Sequence, residues 1–363
     1  MVKPSDLQDG FDELSLKLQR SVKLEHLFAL TDHNAVLQHA KFSVPARREG
    51  YTVDDNARAL VFAAKAHAFW PGQRLSEMQR KLISFLLVMQ ADDGRFHNLM
   101  DFSQRTIDAP TVGDHVGRAI WATGAVINAE NPRGVKASAR LMFDRALPWA
   151  RESTSPRTKA YACLGLVERL HTDSEDNNLR ANLRTIANSL VELYNTNQTP
   201  DWKWFENILS YDNPRPSQAL FAAYESLGEK AYLGVAEESM KFLKAATTID
   251  GIYAPIGSGG WYPKGGGRAL YDQQPIEAGG TVETAVLAYN LTRSDVYAAA
   301  IRQAMGWFFG LNTKSVELYD DSTGACYDGI NKMGVNENQG SESTLAFLLA
   351  AVTFIEIFQN EGR

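Results

Sequence analysis

Five polar loops contain most of the residues that could carry out acid–base chemistry in this 363-residue sequence. The loop at 202–214 is the richest, because it combines aromatic rings with carboxylates and amides. Its candidate residues are Trp202, Trp204, Glu206, Asn207, Tyr211 and Asp212. Flat rings stack on the apolar faces of a pyranose, while carboxylates and amides hydrogen-bond to its hydroxyl groups. This composition predicts a site for a polyhydroxylated ligand.

The other four loops lie at 50–56, 108–115, 271–277 and 336–342, and each immediately precedes an alanine-rich run with helical periodicity. We expect these loops to bring binding residues to one end of the molecule. The candidates are Tyr51, Asp54, Asn56, Arg58, Asp114, His115, Gln273, Gln274, Asn338, Gln339 and Glu342, with Trp261 in a neighbouring glycine-rich stretch.

Two carboxyl groups with different proton affinities are what hydrolysis of a glycosidic bond requires. One protonates the leaving oxygen, and the other activates water or attacks the sugar carbon. The acid should have the least polar surroundings, since desolvation raises the pKa of a carboxyl group. Glu206, which follows three aromatic residues, is the first candidate for the acid, and Glu277 is the second. Asp55 and Asp272 have more polar neighbours in the sequence and suit the role of the ionised carboxylate.

Several of the loop acids also have a structural explanation. Asp54 or Asp55 would serve as the cap of the following helix, and the sequence does not separate the two as catalysts. Asp212 fits a turn before a helix that starts with proline. Glu277 and Glu342 fall in predicted first turns, where acids favour the helix dipole. Capping alone, however, does not require the tryptophan, glutamine and asparagine that accompany these acids.

The sequence predicts no metal or cofactor site. It contains neither a His-Glu-x-x-His nor a Cys-x-x-Cys pattern, and its glycine-rich stretches do not link a strand to a helix as phosphate-binding loops do. His115 is open to two interpretations, as a base or orienting group and as a satisfied surface histidine.

Apolar residues at helical spacing predict twelve helices, or six pairs, across the chain. They are expected near 11–30, 54–70, 75–90, 113–129, 134–152, 157–171, 177–195, 215–228, 231–247, 275–291, 294–310 and 340–358. The first helix of most pairs is rich in alanine and glycine, whereas the second carries more charge. Small residues allow close approach, so the first helices should form an inner ring and the second ones an outer ring.

The predicted fold is therefore an all-α (α/α)6 toroid that forms one domain over residues 1–363. The helix at 11–30 would close the ring against the helix at 340–358, and the polar loops would surround one funnel. Extended insertions at 249–272 and 317–338 would build its walls. An open solenoid is the alternative, but its last helix should be a polar cap, and this one is among the most apolar.

Composition narrows the classes of partner and location. A net charge of −6 without any basic block argues against nucleic acid, which needs clustered lysine and arginine. The N-terminus lacks the apolar core of a signal peptide, and no run of about 18 apolar residues suggests a membrane span. Two cysteines do not make a disulfide framework. A cytoplasmic protein with an uncharged or cationic ligand is expected.

Four motifs in the polar loops resemble a known family. They are Gly50-Tyr51-x-x-Asp54-Asp55-Asn56-Ala57-Arg58-Ala59, Trp204-Phe205-Glu206-Asn207-x-Leu209-x-Tyr211-Asp212-Asn213, Asp272-Gln273-Gln274-Pro275-x-Glu277-Ala278 and Asn338-Gln339-Gly340-x-Glu342-Ser343-Thr344. They look like a bacterial and archaeal family of six-hairpin, glycosidase-like domains, whose members often occur fused to glycosyltransferases or carry that name. The resemblance covers about residues 31–358. It implies the toroid and a carbohydrate substrate, and it assigns no catalytic pair.

A metal-independent glycoside hydrolase acting on an oligosaccharide is the leading hypothesis, and inversion is favoured by analogy with other barrels of this fold. The alternatives are a sugar epimerase on the same toroid, which should show a pair of histidines in the funnel, and a non-catalytic sugar-binding or glycosyltransferase-associated domain. A terpenoid-type cyclase is the weakest alternative, because its Gln…Asp-Gly-aromatic motif occurs here only once, at 90–96.

Overall fold

The computed structural model describes residues 10–360, and thirteen α-helices account for most of them. The helices are α1 Phe11–Ser21, α2 Glu25–Leu30, α3 Val53–Ala66, α4 Gln73–Met89, α5 Asp114–Asn128, α6 Arg133–Glu152, α7 Pro156–Thr172, α8 Asn177–Asn197, α9 Arg215–Leu227, α10 Lys230–Ala246, α11 Pro275–Thr292, α12 Asp295–Phe308 and α13 Ser341–Asn360. The all-α prediction is confirmed.

Six helices form a closed inner ring. In ring order they are α3, α5, α7, α9, α11 and α13, and α13 packs against α3 to close the circle. Each inner helix except α13 packs against the outer helix that follows it in the chain, and α1 takes the outer place beside α13. Residues at most positions of the inner helices are buried, as expected for helices covered on all sides. The predicted (α/α)6 toroid is confirmed.

Glycines set the closest contact in the ring, between α5 and α7. A Cβ atom on Gly124 would lie 2.4 Å from the carbonyl oxygen of Gly165, and one on Gly165 would lie 2.5 Å from that of Ile120. No larger residue fits these positions without a shift of backbone. The predicted role of small residues in the inner helices is therefore correct.

The predicted helix at 11–30 is wrong in one respect, because the structure divides it into α1 and α2. The chain leaves α1 at Val22 with extended backbone. The amide of Lys23 then donates to the Tyr319 hydroxyl at 3.1 Å, and the amide of His26 donates to the carbonyl of Thr323. The break thus lets the chain hydrogen-bond to a hairpin near the end of the sequence.

Short antiparallel strands build the walls above the ring. They pair as β1 Ala40–Lys41 with β2 Val44–Pro45, β3 Tyr51–Thr52 with β4 Leu99–Met100, β5 Ile208–Leu209 with β8 Tyr262–Pro263, β6 Thr248–Ile249 with β7 Ile252–Tyr253, β9 Tyr319–Asp320 with β10 Ala325–Cys326, and β11 Gly329–Ile330 with β12 Val335–Asn336. Seven of these twelve strands lie in or at the edge of the two predicted extended insertions.

One described helix, α13, is long and apolar enough to cross a membrane by length and composition. The stretch concerned is Ser341–Phe358, and 78% of it is buried inside the protein. Its apolar character is thus used in the packing of the inner ring.

Candidate active site

Contacts between the polar loops show that they meet at one end of the ring. Arg118 of α5 reaches Asp54 of α3, Asn213 reaches Glu277 of α11, and Arg58 of α3 reaches Glu342 of α13. We call this end the N-terminal mouth, because the inner helices begin there. Its charged residues are Asp54, Asp55, Asp114, Glu206, Asp212, Glu277 and Glu342, with Arg58, Arg118, Arg157 and Arg215.

The two consecutive aspartates at the start of α3 have different environments. The predicted cap at Asp54 or Asp55 is wrong, because Thr52 caps α3 and its hydroxyl oxygen accepts from the Asp55 amide at 3.0 Å. The Asp55 carboxylate has a structural role beside this cap: one oxygen accepts from the Thr52 hydroxyl at 2.7 Å, and the other accepts from Arg58 at 3.0 Å. The Asp54 side chain is 25% exposed and binds Arg118 and the Asn98 amide. The structure thereby separates the two residues: of the pair, Asp54 is the one that solvent reaches.

Asp54 is held in its ionised form. Burial alone would raise the pKa of Asp54, but the guanidinium groups of Arg118 and Arg58 and the imidazole of His115 outweigh it and lower the pKa. The guanidinium of Arg118 also lies over the Tyr161 ring, 4.6 Å from its centroid, and its Nη2 is 3.7 Å from Asp212. Asp54 therefore suits a base or a nucleophile.

The pKa of Glu342 is shifted in the opposite direction to that of Asp54. Its Oε2 lies 2.9 Å from Nη2 of Arg58, and its side chain is 41% exposed. Burial raises the pKa of Glu342, and Asp55 and Asp212 add to this against the lowering effect of Arg58 and Arg118. Glu342 is thus reached by solvent although protein surrounds it, as expected for a residue that lines a deep opening.

Asp212 is completely buried beneath the mouth and is a hub of hydrogen bonds. Its backbone has φ of 46°, a left-handed conformation that aspartate adopts more readily than most residues. The carboxylate accepts from the Tyr161 hydroxyl and from Nε of Arg215 at 3.1 Å. Arg215 also donates to Glu283 at 2.7 Å. These contacts fix the floor of the mouth.

Asp114 and Tyr211 form a second fixed pair, in which the Tyr211 hydroxyl donates to the carboxylate. Asp114 also accepts from Ser155 at 2.7 Å and from Thr158 at 2.9 Å. Burial would raise the pKa of Asp114, but the charge of Arg118 and these hydroxyl donors lower it. Asp114 is thus an ionised acceptor whose hydrogen bonds are already occupied by protein.

The expected surroundings of Glu206 are wrong. Its Oε2 lies 2.9 Å from Nη1 of Arg157, so the carboxylate faces a guanidinium group and not an aromatic cage. Trp202 and Trp204 are buried core residues, packed near Phe242, and therefore offer no face to a sugar. Their burial has a local cause: the adjacent β5 pairs with β8, which covers the segment, and the Trp202 indole donates to the carbonyl of Glu206.

Glu277, the second candidate for the acid, has the predicted desolvated environment. It is 1% exposed, and burial followed by the charge of Asp212 raises the pKa of Glu277 to about 8. Both the amide and the side chain of Asn213 donate to it, the latter at 2.9 Å. Glu277 therefore holds the turn that presents Asp212, and we regard it as a positioning residue.

Several predicted binding residues have structural roles. These side chains are buried, and their polar atoms already form hydrogen bonds with other parts of the protein. Tyr51 donates to Asp32, Asn56 binds the backbone of Val36 and Thr52, His115 bonds to the carbonyl of Phe96, Gln273 accepts from Trp307, and Gln339 donates to Asp320. This arrangement does not leave these side chains available for direct contact with a ligand.

The remaining predicted residues lie at the rim. Asn207 and Asp272 are exposed, Trp261 and Gln274 are partly buried, and Asn338 accepts from the Phe42 amide at 3.0 Å. Trp261 and Asp272 both have left-handed backbone, with φ of 57° and 61°. The rim therefore keeps one tryptophan where a ligand can reach it.

Sequence reasoning missed the arginines of the inner helices other than Arg58. A signal existed, because an aspartate in the first turn is followed four residues later by arginine in both α3 and α5. The pairing crosses between helices, however, since Arg118 binds Asp54 and not Asp114. Within the described residues, no three histidine, cysteine, aspartate or glutamate side chains are grouped as metal ligands.

No protein-family model and no curated protein sequence matches this chain. Solved structures with the same fold do match over nearly their whole lengths. A D-mannose isomerase is 14% identical, covers 95% of this chain and 97% of its own, and has a TM-score of 0.71. A sugar epimerase from a ruminal bacterium is 12% identical, with coverages of 95% and 99% and a TM-score of 0.75.

An inactive variant of the alpha-1,6-mannanase of Salegentibacter sp., in complex with alpha-1,6-mannotetrose, is also similar. It is 12% identical, with coverages of 96% and 100% and a TM-score of 0.63. At these identities the likeness shows the fold alone. The chain therefore has the six-hairpin toroid fold that these isomerases, epimerases and glycosidases share.

Proposed function

We propose that the protein is a carbohydrate-active enzyme, and that it cleaves a glycosidic bond with two carboxyl groups of the N-terminal mouth. The observation that carries this proposal is that the pKa values of Glu342 and Asp54 are shifted in opposite directions. Solvent reaches both, yet the pKa of Glu342 is raised and that of Asp54 is lowered. Carboxyl groups whose pKa values are separated by their environment are the usual acid and base of such sites.

In this mechanism Glu342 is the general acid, which donates its proton to the leaving oxygen. Asp54, ionised, either removes a proton from an attacking water or attacks the sugar carbon itself. Arg58 and Arg118 are positioning residues: Arg118 forms an ion pair with Asp54, and the Arg58 guanidinium lies 2.9 Å from an oxygen of Glu342, to which it can donate a hydrogen bond when Glu342 is protonated. Inversion of the anomeric configuration remains our prediction, to be measured by NMR of the first product.

The substrate we propose is an oligosaccharide or another glycoside. The mouth combines carboxylates, guanidinium groups and the partly buried Trp261 at its rim, which suit hydroxyl groups and an apolar sugar face. Structures with the same fold include a mannanase bound to alpha-1,6-mannotetrose, and that inactive variant has two consecutive aspartates replaced. Two consecutive aspartates, Asp54 and Asp55, begin an inner helix here.

Sugar epimerisation is the second candidate, favoured by histidines near Asp54. His115 lies close enough to lower the pKa of Asp54, and His97 precedes Asn98, whose amide donates to Asp54 at 3.1 Å. A histidine could abstract the proton beside a sugar carbonyl. One ring nitrogen of each histidine bonds to a backbone carbonyl, that of His115 to Phe96 and that of His97 to Asp108. His115 is buried whereas the His97 side chain is 22% exposed, so this route relies on the other ring nitrogen of His97.

The test is a screen of purified protein against mannose-, glucose- and galactose-linked oligosaccharides, with products separated by chromatography and identified by mass. We expect wild type to release shorter sugars, and Glu342→Gln and Asp54→Asn to lower the rate at least about 100-fold. Glu152→Gln, an exposed site at the end of α6, is the matched control.

The products distinguish the candidates. A change of sugar identity at constant mass, abolished by His97→Ala, would replace hydrolysis with epimerisation. Binding of a sugar without turnover would support the non-catalytic or glycosyltransferase-associated alternative. For hydrolysis, Arg118→Met should move the acidic limb of the pH–rate profile to higher pH, because removal of the cation raises the pKa of Asp54.

A further inference from the structure

A second opening lies at the opposite end of the barrel, where the inner helices end. It is a cavity of about 340 Å³ lined by residues of all six inner helices. We call it the C-terminal cavity and define it by Lys65, Glu168, Glu225 and Glu356 near its rim and by Trp121 and Gln218 at its floor. This volume is at the lower end of the range for small-molecule sites.

The charged groups of the cavity are not balanced. Lys65 is shared by two carboxylates, since its Nζ lies 3.3 Å from Glu168 and 2.9 Å from Glu356. Glu225 forms no hydrogen bond or ion pair within residues 10–358. Although Glu225 is exposed to solvent at the rim, the surrounding protein partly desolvates its carboxyl group and raises its pKa, and the nearby His171 opposes this shift. Among the described residues, Glu225 is therefore a rim carboxyl group without an ion-pair partner, next to the lysine that Glu168 and Glu356 share.

The helix ends add to this negative potential. Lys65, Glu225 and Glu356 lie within the last turn or so of α3, α9 and α13, and the free carbonyl groups of a helix C-terminus carry partial negative charge. Carboxylates are unfavourable at this position, whereas cations are favourable. A cation from outside the described chain would pair with Glu225 and interact favourably with the helix dipoles.

The walls of the cavity are apolar below this rim. Leu164 and Val167 of α7 and Val286 and Leu287 of α11 line it, and the floor includes Trp121. The Trp121 ring is stacked on Tyr161, with centroids 5.7 Å apart, and Arg215 lies over it at 5.2 Å. The floor is thus an aromatic ring packed against Tyr161 and Arg215, and the cavity suits a ligand that combines an apolar body with a charged end.

We propose that the C-terminal cavity binds a small organic ammonium ion, with its apolar part against Leu164, Val167 and Val286 and its ammonium group beside Glu225. A divalent metal fits less well, because within the described residues no three potential ligand side chains come together. An anion is opposed by the three rim carboxylates. The site lies at the other end of the barrel from the N-terminal mouth, and the inference does not depend on the proposed reaction.

Isothermal titration calorimetry with benzylamine and benzyl alcohol tests this inference, because the two probes have nearly the same shape and differ in charge. We expect wild type to bind benzylamine at least about ten-fold more tightly than benzyl alcohol, since a charge-assisted hydrogen bond is about twice as strong as a neutral one. Glu225→Gln should remove most of this preference. Glu152→Gln, the same change of charge outside the cavity, should leave it intact.

Three results would overturn the proposal: no detectable binding of benzylamine, equal affinity for the two probes, or unchanged affinity in Glu225→Gln. Circular dichroism of each variant verifies that the fold is retained. Glu225 is exposed at the rim, so its replacement should not interfere with folding.

Discussion

The carboxyl groups at the two ends of the barrel lie in opposite electrostatic environments. At the N-terminal mouth the carboxylates lie near helix starts, where the dipole favours them, and four arginines pair with most of them. At the C-terminal cavity the carboxylates lie near helix ends, where the dipole opposes them, and one lysine serves two. The first arrangement is largely satisfied within the protein, whereas the second leaves Glu225 without an ion-pair partner among the described residues.

Arg215 joins the two ends and should give the largest effect on stability. It is buried and pairs with Asp212 of the mouth and with Glu283, which lines the cavity. Arg215→Met would leave the buried Glu283 without its cation and Asp212 with only the more distant Arg118, at a cost of about 3–5 kcal/mol in the free energy of unfolding. Urea denaturation measures this loss.

A matched variant separates charge from packing at the same position. Adding Glu283→Gln to Arg215→Met should recover part of the lost stability, because one of the unpaired charges is removed. If Arg215→Met cost less than about 1 kcal/mol, the two ends would not depend on this link.

Glu277 should make the stability of the N-terminal mouth dependent on pH. Its pKa is raised from 4.5 to about 8, so between these values the folded protein holds a proton that the unfolded chain has lost. The stabilisation is therefore complete below pH 4.5 and is lost as the pH rises towards 8, by up to about 1.4 kcal/mol per pH unit.

Glu277→Gln tests this sign. The variant keeps an uncharged side chain, so its stability should vary less between pH 5 and 8.5 and should exceed that of wild type at the upper limit. Urea denaturation across this range, with Glu225→Gln in parallel, makes the comparison. A larger change in Glu225→Gln would place the main pH sensitivity at the C-terminal cavity and contradict the prediction.

Lys65→Met should have the smallest effect on stability and an informative effect on binding. Its side chain is 19% exposed, and its partner Glu356 is 38% exposed, so water takes over part of the interaction. We expect a loss of about 1 kcal/mol. Removal of the Lys65 cation from the rim should also tighten benzylamine binding several-fold, and weaker binding would contradict the proposed acidic site.

The sequence predicted the ring because that information is local and periodic. Small residues such as Gly124 and Gly165 recur at helical spacing in the inner helices, and the polar loops directly precede them. The roles of individual acids were not predictable in this way. Trp202 and Trp204 suggested an aromatic site around Glu206, but strand pairing turns both rings into the core.

The arginine network was hidden for a similar reason. In a sequence, a buried Arg118 or Arg215 looks like any surface arginine, and its burial depends on partners contributed by neighbouring helices. Asp54 owes its ionisation to α5, and Glu342 is held by α3. Such pairings between helices depend on the three-dimensional ring, so the loops were predictable and the acid–base pair was not.

The packing of α13 against α3, which closes the ring, affects how the barrel unfolds. Lys65 and Glu356 are 291 positions apart in the chain, yet they pair across this seam. In an open array of helical repeats, each unit touches only its neighbours and terminal units can unfold independently. Among the described residues the ring has no terminal unit, because α13 packs against α3. Removal of any hairpin therefore removes packing from both of its neighbours, and cooperative unfolding of the ring is expected.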